Sequence, residues 1–196
     1  MSSTVTSSIP VATRRSATGI PTARLAMWML LASEIVIFGG LLVIYIMRRV
    51  MFDHWAEYAE HTNVIAGSIN TFALLTSSLA AVLAHQAAEA KLHEKAFSYL
   101  WGAILGGLVF LIVKSIEWSN EISHGFTITT NNFWSFYYTA AGIHGLHVIA
   151  GMVAMGIISM DVKKGLNLHR VEIVGIYWCF VEVVWIFLFP LLYIAK

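Results

Sequence analysis

The sequence predicts an all-α membrane protein, a bundle of five transmembrane helices, on the strength of three observations. Hydrophobic residues make up 58% of the 196 residues, whereas charged residues make up only 12%. The mean hydropathy of +0.74 is too high for a water-soluble core of this size. Five apolar stretches approach or exceed the roughly 20 residues that cross a ~30 Å hydrocarbon core. They cover about residues 25–47, 64–88, 98–118, 133–158 and 173–194.

The polar N-terminal stretch, residues 1–24, differs from the rest of the chain. It is rich in Ser, Thr and Arg, contains no acidic residue and lacks the continuous apolar core of a secretory signal. We interpret it as a disordered cytoplasmic tail that is retained, although a mitochondrial transit peptide would have a similar composition. Residues 25–196 are predicted to form a single five-helix transmembrane domain, because the connections are too short for a separate soluble domain.

Lysine and arginine are distributed unevenly over the two sides of the predicted bundle. With the N-terminus in the cytoplasm, eight fall on the cytoplasmic side: Arg14, Arg15, Arg24, Lys91, Lys95, Lys163, Lys164 and Arg170. Three fall outside: Arg48, Arg49 and Lys196. Since cytoplasmic segments carry an excess of Lys and Arg, the sequence predicts a cytoplasmic N-terminus and an external C-terminus. The cations form no basic face, so binding to nucleic acid is excluded.

Aromatic residues fall near the predicted helix ends: Tyr45, Trp118, Phe133, Trp134, Tyr137, Tyr138 and Tyr193. Amphipathic rings favour the boundary between headgroups and hydrocarbon, where we therefore expect these side chains. Pro190 lies in the last turns of the fifth helix, where the loss of a backbone hydrogen bond costs least.

Small residues mark two helices as packed within the bundle. The second helix carries small polar side chains, with Asn70 among them, and such residues suit helix contacts in lipid. In the third helix, Gly102 and Gly106 are four residues apart, a spacing that lets another backbone approach closely. We expect both features at helix contacts.

Four ionisable residues lie at one depth near the middle of the membrane: Glu34, His144, His147 and Glu182. A charged side chain at this depth costs about 2.5–3.5 kcal/mol on insertion scales, so each is expected to face a partner helix or a water-filled cavity. His144 and His147 share one helix face, and we propose that Glu34 accepts a hydrogen bond from one of them. Without such a partner the carboxyl would remain protonated, because removal from water disfavours its charged form.

Two interpretations of this network are open. It either locks the first, fourth and fifth helices together or takes part directly in proton handling. Nearer the outer end of the third helix, Lys114 and Glu117 are three residues apart and can form an ion pair, which we interpret as structural.

The sequence predicts no catalytic centre and no metal or heme on this chain. A b-type heme needs axial histidines on different helices at matching depth, whereas His144 and His147 lie on one helix. Spacing supplies no third nitrogen or sulfur ligand for copper or zinc. Cys179 is the only cysteine, and we interpret it as a small packing residue.

Four segments, taken in order, carry a family resemblance: MWMLLASEIVIFGGLL from Met27, NTFALLTSSLA from Asn70, FYYTAAGIHGLHVIAG from Phe136 and YWCFVEVVWIFLFPLLY from Tyr177. Together they resemble subunit III of cytochrome c oxidases and related quinol oxidases. Members of this family commonly have seven helices, and the chain resembles the shorter, five-helix form that lacks the first two.

The resemblance also extends to single residues. Glu34 matches the family's buried glutamate, which reacts with carbodiimides, and His144 and His147 match its HGLH motif. Two positions depart from the pattern, since Cys179 stands where the family usually has histidine and Glu182 where it has aspartate.

The resemblance implies a role in a complex. Such oxidases reduce oxygen with electrons from cytochrome c or quinol and move protons across the membrane, with heme and copper on subunits I and II. This chain is expected to pack against the catalytic subunit in a bacterial inner membrane, to sustain its stability and proton uptake, and to contact membrane lipids, including a bound phospholipid.

Several alternatives remain open at this point. A quinol oxidase subunit III and a nitric oxide reductase accessory protein belong to the same family. From other classes, the sequence also allows an independent proton or small-solute channel that uses Glu34, His144 and Glu182 as a relay, and a b-type cytochrome anchor.

Overall fold

The structure is a computed structural model that describes residues 21–51 and 55–194. Within them the chain forms six helices: α1 Thr22–Met51, α2 Trp55–Ala59, α3 Val64–Glu89, α4 His93–Ser123, α5 Asn132–Lys163 and α6 His169–Phe189. A π-helical turn, Pro190–Ile194, continues α6. Five of these helices are long and apolar enough to cross a membrane, which confirms the predicted all-α fold of five spanning helices.

The helices extend beyond the apolar stretches that revealed them. The third predicted span, residues 98–118, belongs to α4, which runs from His93 to Ser123. Helix α1 begins at Thr22, so the last residues of the predicted tail are helical, while its residues 1–20 lie outside the described part of the chain. Hydropathy detects only the turns that lie in hydrocarbon, whereas the polar end turns continue the same backbone hydrogen bonds into the headgroup region.

Short connections make consecutive spans antiparallel. Asn63 caps α3, where its side chain accepts hydrogen bonds from the amides of Ile65 and Ala66. Asn131 caps α5 in the same way and accepts from the amide of Trp134. These side chains satisfy amide groups that have no partner within the helix, and so fix where each span begins.

Four spans form a closed ring in which α3 packs on α4, α4 on α5, α5 on α6 and α6 on α3. Helix α1 lies outside this ring, mainly against α5 and α6. We call the end of the bundle with the start of α1 the inner end and the opposite end the outer end, following the predicted orientation, which stays a prediction.

The aromatic residues expected near the headgroup boundary are mostly buried between helices rather than turned outward. Tyr45, Phe133, Trp134, Tyr137 and Tyr193 each have at most 1% of their surface exposed. Hydropathy places a residue along the membrane normal but not around the helix axis, and these side chains point at neighbouring helices. Buried tyrosines and tryptophans fill the large spaces between helices in the outer half.

Pro190 begins the π-helical turn that closes α6. Proline has no amide hydrogen, so the regular helical hydrogen-bond ladder cannot continue through it. Two carbonyl groups of this turn accept side-chain hydrogen bonds, that of Leu191 from the Tyr45 hydroxyl and that of Leu192 from the Thr62 hydroxyl. The widened turn thereby places the Tyr193 side chain inside the bundle, where it is fully buried.

Candidate functional site in the membrane-spanning bundle

A buried lysine lies in the outer half of the bundle, on α4. The ammonium group of Lys114 lies 3.0 Å from Oε2 of Glu117, one turn further along the same helix. It also donates hydrogen bonds to the hydroxyl of Tyr137, at 2.9 Å, and to the hydroxyl of Tyr193. The three N–H groups of the lysine therefore all have acceptors.

The two tyrosines complete the partners of the carboxylate. The hydroxyl of Tyr137 donates to Oε1 of Glu117 at 2.9 Å, and that of Tyr193 donates to Oε2 at 3.0 Å. We call Lys114, Glu117, Tyr137 and Tyr193 the lysine cluster. It connects α4 to α5 and to the π-helical turn that ends the last span. Because its ammonium and carboxylate groups all have hydrogen-bond partners, we interpret the cluster as a structural contact between helices.

Sequence reasoning found the ion pair but missed both tyrosines. The signal was present, because a buried ammonium group carries three donors and one carboxylate cannot satisfy all of them. A search for hydroxyl groups at the same depth on other helices would have found Tyr137 and Tyr193.

The carboxyl of Glu34 meets one of the two histidines of α5. Its Oε2 lies 3.0 Å from Nε2 of His147. The other ring nitrogen of His147, Nδ1, lies 2.8 Å from the carbonyl oxygen of Ile143. Since a carbonyl can only accept, Nδ1 carries a hydrogen. The contact with Glu34 then holds one proton, either on the carboxyl or on Nε2, and joins α1 to α5.

His144 does not take part in this network. It is fully buried, and neither ring nitrogen has a hydrogen-bond partner among the described residues. Its ring lies between Phe110 and Trp185, with centroid distances of 5.2 and 5.3 Å. The two histidines, three residues apart, face different neighbours because α1 lies outside the ring of helices, so only His147 reaches it.

Glu182 lies away from Glu34 and both histidines, on the side of α6 that faces α3. The Ser78 hydroxyl lies near enough to its carboxyl to interact with it. The same hydroxyl lies 3.4 Å from Sγ of Cys179. The expectation that Glu182 helps to lock the first, fourth and fifth helices was therefore wrong, and the described residues hold no continuous relay from Glu34 through His144 to Glu182. Equal depth on two helices does not bring their side chains together.

The two glycines of α4 differ in their surroundings. A Cβ on Gly106 would lie 2.5 Å from Cβ of Ser77 and 2.9 Å from the carbonyl oxygen of Ala73, both on α3. A Cβ on Gly102 would lie 3.7 Å from Cβ of Ala80, an ordinary contact. Close approach of the backbones therefore depends on Gly106.

Polar side chains line the contact between α3, α4 and α6. Ser77 donates to the carbonyl oxygen of Ala103 at 2.7 Å and accepts a hydrogen bond from the indole of Trp178 at 2.9 Å. Asn70 is fully buried on α3, and neither atom of its amide has a partner in the described part of the chain. Ser77 thus joins three helices, a role that the sequence did not single out.

Three polar contacts attach α1 to the ring at three depths. At the inner end, Arg24 forms an ion pair with Glu172, with a nitrogen–oxygen distance of 2.6 Å. Glu34 contacts His147 near the middle, and Tyr45 donates to Leu191 near the outer end. They lie about ten residues apart on α1, which corresponds to roughly 15 Å at ~1.5 Å per residue.

The middle attachment should be measurable as a coupling energy. We expect Glu34→Leu and His147→Leu each to lower the free energy of unfolding by about 1–3 kcal/mol, because each leaves a partly buried polar group without its partner at a depth where water is scarce. The double variant should lose less than the sum of the two single losses. The comparison is a double-mutant cycle in detergent or lipid, with Arg24→Ala at the exposed pair expected to cost at most about 1 kcal/mol. Strict additivity would contradict the contact.

The described residues bring no three His, Cys, Asp or Glu side chains together in a way that could hold a metal ion. His144 and His147 point in different directions, and the sulfur of Cys179 contacts a serine hydroxyl. The polar groups of the lysine cluster and of Glu34 thus contact one another between helices, whereas the amide of Asn70 has no partner among the described residues.

Comparison with known proteins decides the family. The profile of cytochrome c oxidase subunit III matches residues 17–196. The chain belongs to this family. The chain is 33% identical to cytochrome c oxidase subunit 3 of Bacillus subtilis over 181 residues, which cover 87% of this chain and 84% of the relative. It is 32% identical to the same subunit of Thermostichus vulcanus over 175 residues, covering 87% and 86%.

A further relative has a different organisation. The chain is 32% identical over 184 residues to a heme-copper oxidase subunit I+III of Aeropyrum pernix. The match covers 88% of this chain but only 22% of that longer protein. Membership of the family, together with five spans, makes the chain a membrane protein that works with other oxidase subunits.

Proposed function

We propose that this chain is subunit III of a respiratory heme-copper oxidase and that it supports the catalytic subunit without carrying a redox centre. The match of residues 17–196 to the family is the observation that carries this proposal. The relative named as subunit I+III, in which one chain has both designations, supports a position beside subunit I. Heme and copper would then be held by partner subunits, with the N-terminus of this chain in the cytoplasm of a bacterial cell.

The polar contacts within the bundle are consistent with a structural role beside the catalytic subunit. The ionisable groups of the lysine cluster are all paired, and the Glu34–His147 contact holds a single proton between two helices. Such contacts fix helices in place, as the structural interpretation of the network requires. The proposal also includes a role for the Glu34–His147 pair in maintaining proton uptake by the catalytic subunit.

A bound phospholipid is also part of the proposal. An apolar groove of about 460 Å³ lies between α1, α5 and α6 in the inner half, lined by Met27, Leu30, Ala154, Ile158 and Tyr177 among others. Arg170, whose guanidinium pairs with Asp161, is also among the lining residues. An acyl chain suits such a lining, and a cation beside it suits a phosphate group.

Purification of the tagged chain from its native membrane tests the proposal. We expect subunits I and II to co-purify, a heme spectrum from the complex, and oxygen consumption with cytochrome c or with quinol. The donor that sustains turnover distinguishes the two oxidase types, and nitric oxide reduction would reveal the related accessory protein. A chain that emerges alone and colourless, and that conducts protons in vesicles, would overturn the proposal in favour of a channel.

A further inference from the structure

One outward side of the bundle differs from the others because it carries a carboxyl near the middle of the membrane. This side, which we call the α6 face, consists of Gly175, Cys179, Glu182, Val183 and Ile186, which recur on one side of α6. Val183 is 46% and Ile186 43% exposed, so no other described helix covers this face.

Glu182 lies at the boundary between α6 and α3, with 8% of its surface exposed. Ser78 on α3 is the polar side chain that interacts with its carboxyl. Around it, Val183 on α6 and Leu75 and Leu79 on α3 are exposed and apolar. Hydrocarbon supplies no hydrogen-bond donor, and a carboxyl at this depth is unfavourable unless it contacts protein or water. Glu182 therefore needs a donor from outside this chain.

The glycines on this side of the molecule support the same conclusion. A Cβ added to Gly175 on α6, or to Gly39 on α1, would meet no atom within 4 Å. Their lack of a side chain thus serves no contact inside the chain, in contrast to Gly106 on α4. Small residues on an outward face allow the backbone of another helix to approach.

A shallow groove continues this face toward the outer end. It lies between α1 and α6, has a volume of about 160 Å³ and is lined almost entirely by apolar side chains, with Gly39, Phe180 and Phe187 among them. The groove and the carboxyl lie on the same helix, within two turns of each other. Glu182 and the groove lie at opposite edges of the α6 face, toward α3 and α1 respectively, so a helix packed along this face would border both.

The outward faces of α4 and α5 carry no carboxyl at this depth, although α5 also has an open glycine, Gly156, nearer its inner end. At the same depth they present Leu105, Leu108 and Ile112 on α4, and Leu146, Ile149 and Val153 on α5, all exposed and apolar. These sides match lipid, whereas the α6 face matches protein.

We infer that the α6 face receives a transmembrane helix of the catalytic subunit, and that this helix presents a hydrogen-bond donor to Glu182. The inference rests on the proposed function, which supplies the partner, and adds where the partner lies. The donor is a hydroxyl, amide, indole or protonated group at mid-membrane depth, and the two glycines and the groove provide room for its backbone.

Site-specific photo-crosslinking in the native membrane tests the position. The crosslinking residue p-benzoylphenylalanine replaces Val183 on the α6 face or, as a matched control, Val153 on the outward face of α5. We expect Val183 to yield a product with the catalytic subunit and Val153 to yield none above background. If Val183 crosslinks only to lipid or to a second copy while the catalytic subunit still co-purifies, the inference is overturned and the proposed function stands. If the catalytic subunit does not co-purify at all, the proposed function itself fails.

Substitution of Glu182 tests the donor. We expect Glu182→Leu to weaken retention of the chain in the purified complex by about tenfold or more, a typical loss for a desolvated hydrogen bond to a charged group. Glu182→Gln keeps an acceptor oxygen and should retain most of the binding. Because removal of an unsatisfied carboxyl would stabilise the isolated chain, its unfolding is measured in parallel. Equal retention of all three proteins would contradict the contact.

Discussion

Lys114→Met is expected to lower the free energy of unfolding by about 3–5 kcal/mol, because it leaves the carboxylate of Glu117 buried without its charged partner. Both side chains are almost completely buried, at 5% and 1% exposure, so water cannot replace the lost ammonium group. Tyr137 and Tyr193 would still donate to the carboxylate, but their hydroxyls would lose the lysine that they accept from. Equilibrium unfolding of the purified chain in mixed micelles measures the change.

The double variant Lys114→Met with Glu117→Gln separates the cost of an unpaired charge from the value of the pair. It removes both charges and keeps side chains of similar length, so we expect it to recover more than half of the loss caused by Lys114→Met alone. Arg170→Ala is the matched control, since Arg170 pairs with Asp161 at 3.2 Å on the exposed inner surface and should contribute at most about 1 kcal/mol. A double variant as unstable as Lys114→Met would show that the pair itself, rather than the unpaired charge, dominates.

The number of spanning helices could be predicted from the sequence because hydropathy is a strong signal over 20 residues. What hydropathy does not report is which way each side of a helix faces. In a water-soluble helix the buried face is apolar and the exposed face polar, but in lipid both are apolar. On α5, for example, the exposed Leu146 and the buried Val148 look alike in the sequence.

This limit explains the errors at the candidate site. Glu34, His144, His147 and Glu182 share a depth, yet only Glu34 and His147 meet, because contact also depends on the order of the helices around the bundle. That α1 lies outside the ring of four, beside α5 and α6, is not encoded in any local pattern. The ion pair of Lys114 with Glu117 could be predicted because both residues lie on one helix, where a spacing of three fixes their relation.

Gly106→Ala is expected to destabilise the bundle by about 1–3 kcal/mol, as overpacking of a tight contact does. The added methyl would lie 2.5 Å from Cβ of Ser77 and 2.9 Å from the carbonyl oxygen of Ala73. The carbonyl belongs to the α3 backbone and cannot rotate away, so the two helices must separate. Separation would also strain the hydrogen bond from Ser77 to the carbonyl of Ala103, on α4, and that from the indole of Trp178 to Ser77.

Gly102→Ala is the control within the same motif, because its methyl would meet Ala80 at 3.7 Å. It fits without displacement and raises helix propensity by up to about 1 kcal/mol, so we expect a change in stability between zero and a gain of that size. Both variants carry the same chemical change on the same helix, four residues apart. A difference in unfolding free energy between them therefore measures the cost of the closer contact at Gly106. Equal effects would mean that α3 and α4 are not held in the close contact that the Gly106 geometry requires.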